Sequence, residues 1–564
     1  MNKPSPLDWR NRAVAAARDG REAEARSLLQ KGLALHPRSA ELWNSGGNLL
    51  MQLKDYAGAE QHFGQARDLA PERLEFLLNH AISMSRQDKN EAALALLRRH
   101  QAEGENDVRY CSARAAAARS SASLNEAAIW YDKALALDDA HARALHGRAR
   151  VALERGEEDA PQRFERALAV NRGEADLWLG RAQALDVAGD TAGARQIAEA
   201  LVQQAPQWLE ALRALAQFRL AAGEADFASH FDAAQAARPA LSAIAIDHTA
   251  VLASMDLFEQ AAEVAARAKH RFAGDASRFA LLEATHAGAA GDNERAERIF
   301  SDLETESGER YLQEARHRIR LGEFARAEQL LERVLAEQPE DIAAWALRDI
   351  VWRVTDDARS EWLHGQPEVV RMIELDDWQE TLPPAIALLD ELHDKSALPL
   401  GQSLRGGTQT RGLLFDRAEA ELLALRRSIE KAVDRYRRSL PATDTGHPLL
   451  RHRDEAWHLA GSWSVRLSGG GDHHAGHIHP QGVVSSALYM MLPEPAITGE
   501  GWLELGRPPR DLHLDLQPLK VLQPRAGYMA LFPSTLYHGT TAFTAGQRLT
   551  VAFDIVPDSG KRGT

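Results

Sequence analysis

Only one cysteine, Cys111, occurs in 564 residues, which excludes an internal disulfide framework and any cysteine-rich metal site. It lies in an Ala-rich stretch (RYCSARAAAA) and reads as a small buried apolar residue. Long apolar runs are also missing. No segment reaches the ~20 residues of a membrane span, and the first residues (MNKPSPLDWRNR) lack a signal-peptide core. A cytoplasmic protein without a membrane role is therefore expected. Positive charge is outnumbered, 67 basic against 81 acidic residues, and the net charge of −14 argues against nucleic acid as a partner, because phosphates require a basic face.

What is present in the first 350 residues is a period. Pro37, Pro71, Asn106, Asp139, Arg172, Pro206, Pro239, Gly274, Gly308 and Pro339 each follow an apolar, Ala-rich helical stretch, at intervals of 31 to 35 residues. That spacing matches the tetratricopeptide repeat, two antiparallel helices and a turn. Trp43, Gly47, Leu50, Ala59, Phe63, Ala66 and Pro71 carry the pattern best, and Trp178 with Pro206 and Trp345 after Pro339 keep parts of it. One helix pair cannot bury its apolar face alone, so residues 1–352 are expected to stack as an all-α solenoid of about ten helix pairs. The expected partner is a polypeptide in the repeat groove, with self-association as a second use.

After Trp352 the period fails. Residues 353–398 read as capping and linking helices, with a Pro-Pro step at Pro383-Pro384. Gln402–Thr410 is a polar, Gly-rich loop or edge segment, and Arg417–Ser439 reads as a helix from its spaced leucines. From Trp457 the hydrophobic period becomes two, with further strands at Val483–Leu492, Trp502–Leu505, Tyr528–Phe532 and Leu549–Val556. Short strands without intervening helices predict a jelly roll, or double-stranded β-helix, over 399–564, and so a multidomain chain.

Within about seventy residues of that region, chemistry-bearing residues converge. His477 and His479 lie two apart in an extended segment after a glycine loop (GGGDHHAGHIHP), so both imidazoles face one side. His538 follows 59 residues later, in LFPSTLYHGT. Arg548 and Thr550, two apart on the last strand, form a fork suited to a carboxylate.

This arrangement resembles the Fe(II)/2-oxoglutarate oxygenase superfamily. The segments QSLRGGTQT, GSWSVRL, HIHPQGVVSSALYMMLP, LFPSTLYHGT and RLTVAFDIVP are similar to a bacterial group of such oxygenases, whose members often carry N-terminal tetratricopeptide repeats. The resemblance implies a dioxygenase using Fe(II), 2-oxoglutarate and O2, with His477, His479 and His538 as metal ligands. It further implies Arg548 and Thr550 on the 2-oxoglutarate C5 carboxylate, with Tyr489 as a second contact. No catalytic side chain beyond the metal centre is expected. His479 departs from the Asp or Glu usual in the superfamily. Either His479 is the third ligand, favoured by spacing, or a carboxylate such as Asp472 or Glu504 completes the set. Asp554 and Trp463 are candidates for the cavity wall, and the Gln402–Thr410 loop is expected beside it. His477 could alternatively belong to a solvated cluster with His473 and His474. The implied activity is hydroxylation of a protein or peptide recruited by the repeats. The rival readings are a scaffold with a non-catalytic oxygenase-like domain and a cupin-like three-His metalloenzyme that does not use 2-oxoglutarate.

Overall fold

The computed structural model describes residues 4–494 and 497–558, which divide into two compact units, 1–181 and 182–564.

The first unit is helical throughout. Antiparallel helices such as Ala40–Gln52 and Tyr56–Leu69 bury an apolar stripe against each other. Gly47 permits the close approach: a Cβ there would sit 2.5 Å from the Phe63 ring. The turns before the helices are tied by one recurring bond. Trp43 Nε1 donates to the Pro37 carbonyl and Trp178 Nε1 to that of Arg172, at 2.9 and 3.0 Å. Residues that punctuate the sequence therefore mark real turns. Cys111 is fully buried in the core of this unit.

The second unit begins with further repeat helices, which run to Ile342–Val354. There Trp345 Nε1 repeats the same bond onto Pro339, at 2.9 Å. Eleven strands follow: β1 (Arg371–Glu374), β2 (Leu404–Arg405), β3 (Thr408–Gln409), β4 (Trp457–Leu467), β5 (His473–His474), β6 (Val484–Met491), β7 (Leu503–Leu505), β8 (Lys520–Leu522), β9 (Tyr528–Pro533), β10 (His538–Thr540) and β11 (Arg548–Pro557). A six-stranded antiparallel sheet has the order β1-β9-β6-β11-β4-β3; β10-β7-β8 and β2-β5 form two smaller sheets. This is the sandwich of a jelly roll, joined to a repeat array in one multidomain chain.

Helices Trp378–Asp394 and Ala420–Ser439 cover one face of the large sheet. Their Leu382, Leu389, Leu425 and Ile429 interlock with Leu488, Met529, Val551 and Phe553. β6 and β11 are consequently buried along most of their length.

Several elements depart from the sequence reading. The segment expected to hold only capping helices contains β1, which pairs with β9 along Arg371–Leu531 to Glu374–Tyr528. β1 is an edge strand of four residues, too short for its period to register. The Gln402–Thr410 segment, read as a loop or edge segment, does supply edge strands, β2 and β3, paired to β5 and β4. His473 and His474 form β5 rather than a loop. His477 opens no strand: it makes a single bridge with His538, through reciprocal backbone bonds of 3.0 and 2.9 Å. No described helix is long and apolar enough to cross a membrane.

Candidate metal centre

Two segments deliver the three histidines. Alternation along the extended 477–479 segment turns His477 and His479 inward and Ile478 outward. Ile478 packs on the core built by Tyr311, Trp345 and Trp352 of the last repeats. Tyr537, immediately before His538, is buried in that same core. The two histidine-bearing segments are thus anchored to the repeat helices of their own unit and bridged to each other. Gly539 lets them meet, because a Cβ there would lie 2.9 Å from the His474 carbonyl oxygen.

The result is a cluster in which one ring nitrogen from each of His477, His479 and His538 lies within 4.8 Å of the others. All three Nδ1 atoms are engaged. His477 Nδ1 donates to the Ala475 carbonyl at 2.9 Å, and His538 Nδ1 to the Leu536 carbonyl at 3.1 Å. His479 Nδ1 donates to Asp554 Oδ1 at 2.5 Å. With the proton held on Nδ1, each Nε2 presents a lone pair to the centre. The Nε2 atoms of His477 and His479 stand 3.0 Å apart. Two lone pairs at that separation repel unless a cation or proton lies between them. Cis ligands on metal–nitrogen bonds of about 2.1 Å would sit about 3.0 Å apart, so the donor set fits a metal. Neutral imidazoles suit iron among other first-row metals. Burial, with the neighbouring rings adding to it, pushes His477 down to about 3 and His538 well below the ordinary imidazole range. Both are therefore unprotonated at neutral pH, as a metal ligand must be.

Asp554 reaches His479 by alternation along β11, where Arg548, Thr550, Ala552 and Asp554 share the face opposite Leu549, Val551, Phe553 and Ile555. The β4–β11 register shifts between Asp554 and Ile555, leaving Ala460 of β4 unpaired. Gly461 and Gly482 line the niche: a Cβ on Gly482 would lie 3.1 Å from that of Asp554. Asp554 was a candidate for the cavity wall; it stands instead behind a histidine. Asp472 and Glu504, the alternative carboxylates, do not join the cluster among the described residues. Asp472 accepts the Ser468 N–H at 3.0 Å, and Glu504 pairs with Arg507 at 2.6 Å.

Arg548, Thr550, Trp463 and all three histidines line one cavity, joined by Gln402, Ser403 and Gln409 from the Gly-rich segment and by His474. The Trp463 ring meets His479 edge-on at 5.2 Å between centroids. Thr550 pairs across the sheet with Tyr489, whose ring lies 5.3 Å from the Arg548 guanidinium carbon. Arg548 is almost fully buried, yet among the described residues its Nε and Nη1 find no hydrogen-bond acceptor of good geometry, and the Tyr489 hydroxyl has no neighbour closer in interaction than Arg548 itself. Burial raises the Tyr489 phenol above its ordinary range, partly offset by the Arg548 charge, and lowers Arg548. A buried cation without a carboxylate is costly. This one has the donor geometry for an anionic ligand in the cavity.

Residues 461–554, which contain the three histidines, Asp554, Trp463, Tyr489, Arg548 and Thr550, match the family described as "Putative 2OG-Fe(II) oxygenase", and residues 289–349 match the tetratricopeptide repeat family. The chain thus carries a match to tetratricopeptide repeats and, C-terminal to it, a match to that oxygenase family. Protein FlbA of Caulobacter vibrioides is 33% identical over 96 residues, 17% of this chain and 16% of its own length, so the chain spans about a sixth of that relative. Among solved structures, the type IV pilus biogenesis factor PilW is 17% identical, covering 36% of this chain and 96% of its own, at a TM-score of 0.33. YrrB, described as a repeat protein with an unusual peptide-binding site, is 14% identical at a TM-score of 0.28, covering 33% and 96%.

Proposed function

We propose that residues 399–564 form an Fe(II)- and 2-oxoglutarate-dependent dioxygenase that hydroxylates a protein or peptide substrate. The observation that carries this reading is the pairing, in one cavity, of three inward Nε2 atoms with a buried guanidinium that has two donors without an acceptor of good geometry among the described residues. In this reading His477, His479 and His538 hold iron. Arg548 takes the distal carboxylate of 2-oxoglutarate, with Thr550 and Tyr489 as hydroxyl donors to the same group. Bound iron, with 2-oxoglutarate and O2, supplies the oxidising power to hydroxylate a C–H bond, yielding succinate and CO2. The chain's own work is placement. The Nδ1 bonds hold each imidazole in the tautomer that offers Nε2, and Asp554 returns the negative charge that an Asp or Glu ligand would have contributed directly. Trp463 and Phe532 help to wall the cavity from water.

A polypeptide substrate is favoured by the shape of the approach. A cleft of about 480 Å³ leads to His477 and His479, between Ser254, Phe258 and Ala289 of the repeats and the Pro509–His513 turn. That is room for one side chain projecting from an extended chain.

The test is metal analysis together with succinate formation. The wild-type chain is expected to bind one equivalent of Fe(II) and to convert 2-oxoglutarate slowly to succinate, with both properties lost in His538→Ala. A wild-type chain that takes up no iron and forms no succinate would favour the scaffold reading.

A further inference from the structure

The face of the repeats in the second unit is not empty: it holds a stretch of this same chain. Gln217, on helix Leu209–Ala221, makes a two-point clamp on the segment that leads into the sheet domain. Its Nε2 donates to the Leu398 carbonyl at 3.1 Å, and its Oε1 accepts the Leu400 N–H at 2.5 Å. A carboxamide that both donates to and accepts from the backbone reads an extended peptide whatever its side chains. Beyond that clamp the segment is pinned by charge. Arg405 donates to Asp256 at 2.9 Å through Nε, and Arg411 pairs with the buried Asp186.

Between the clamp and these pins lies Ser403. Its Oγ stands 3.2 Å from His477 Nε2 and 3.1 Å from His474 Nδ1, and its carbonyl accepts the Ala475 N–H at 2.9 Å. Ser403 therefore touches the nitrogen that faces the centre, from a segment too short and Gly-rich to hold itself in place. β2 contributes only two residues of pairing.

We infer that residues 398–411 are a strap through which the repeats set the metal centre, with Gln217 as the positioning residue that holds Ser403 against His477. This deepens the oxygenase reading and rests on it. It gives the repeats a second role: part of their peptide-holding face is occupied by the chain's own backbone, and a foreign extended peptide gripping Gln217 would have to displace the strap.

The experiment loads the full-length chain with Co(II) and records its visible absorption and affinity. Ser403→Ala and Gln217→Ala are expected to move the visible bands in the same direction and to weaken Co(II) about tenfold. The double variant is expected to be no worse than either single one, because the two residues act in series. Gln217→Glu, which keeps the acceptor for the Leu400 N–H, should return the spectrum toward wild type. A change of this kind cannot come from general loss of stability, because urea midpoints are measured alongside. If Ser403→Ala moves the bands and Gln217→Ala leaves them at wild type, the strap is overturned while the metal centre stands. If the wild-type chain binds no Co(II), the metal-centre reading falls and the strap's role falls with it.

Discussion

His479 donates through Nδ1 to Asp554 Oδ1 at 2.5 Å, so the carboxylate stands one bond behind the imidazole that faces the cluster. In the oxygenase reading proposed above, the pair answers the charge problem that a three-histidine metal site raises. It fixes the tautomer, strengthens Nε2 as a donor, and brings a negative charge near the centre without occupying a ligand position.

Removing that carboxylate should loosen the metal without unfolding the sheet. Asp554→Ala is expected to weaken Fe(II) or Co(II) by about 10- to 100-fold. Asp554→Asn, whose Oδ1 still accepts from Nδ1, should lose less. Competition titration against a chelator measures both, and equal affinities in wild type and Asp554→Ala would remove Asp554 from the site.

Arg548→Ala should separate cosubstrate binding from metal binding. A charge-assisted bond to a carboxylate is worth about 1.5–3 kcal/mol, so 2-oxoglutarate affinity should fall about 10- to 100-fold while metal stoichiometry stays at one. Tyr489→Phe removes a neutral donor and should cost less, about three- to tenfold. Anaerobic titration of the Fe(II) form, followed by its visible charge-transfer band, reads both. An unchanged midpoint in Arg548→Ala would favour the cupin-like alternative.

Acid should destabilise the second unit before carboxylates titrate. Burial pushes His393 down to about 3 and His447 to about 4. His447 Nδ1 accepts the Leu449 and Leu450 N–H groups at 3.1 and 3.2 Å, bonds that a protonated nitrogen cannot make. In the unfolded chain these imidazoles titrate near 6.5, so below that pH the unfolded state binds more protons. Stability is then full above about pH 6.5 and is lost as pH falls toward 4, by about 1 kcal/mol per histidine per pH unit. Urea midpoints at pH 7.5, 6.0 and 5.0 measure it; no change across that range would contradict the assignment.

In the repeats, Gly47→Ala should destabilise the first unit. The gain in helix propensity, about 1 kcal/mol, is outweighed by overpacking against Phe63, which costs about 1–3 kcal/mol. Gly173→Ala is the control, because nothing lies within 4 Å of a Cβ there. Thermal unfolding of the two variants should separate them by several degrees.

Much of the site was legible in one dimension because its signals are local. A repeat of 31 to 35 residues, a His-x-His in an extended segment and an Arg-x-Thr on a strand depend only on neighbours along the chain. The roles of Ser403 and Asp554 left no such trace. Ser403 sits in a polar Gly-rich stretch that reads as a connection, and Asp554 in a strand where alternation explains it as ordinary packing.

The sequence by itself determined the periods, the residue types and the order in which the histidines and the arginine occur, because these follow from backbone geometry and side-chain chemistry. Only the tertiary structure decided which groups meet. β11 carries Asp554 onto His479 from 75 residues away, and Gln217 holds a segment more than 180 residues distant. Contacts of that range are set by strand register and by how whole elements pack, which no local pattern encodes.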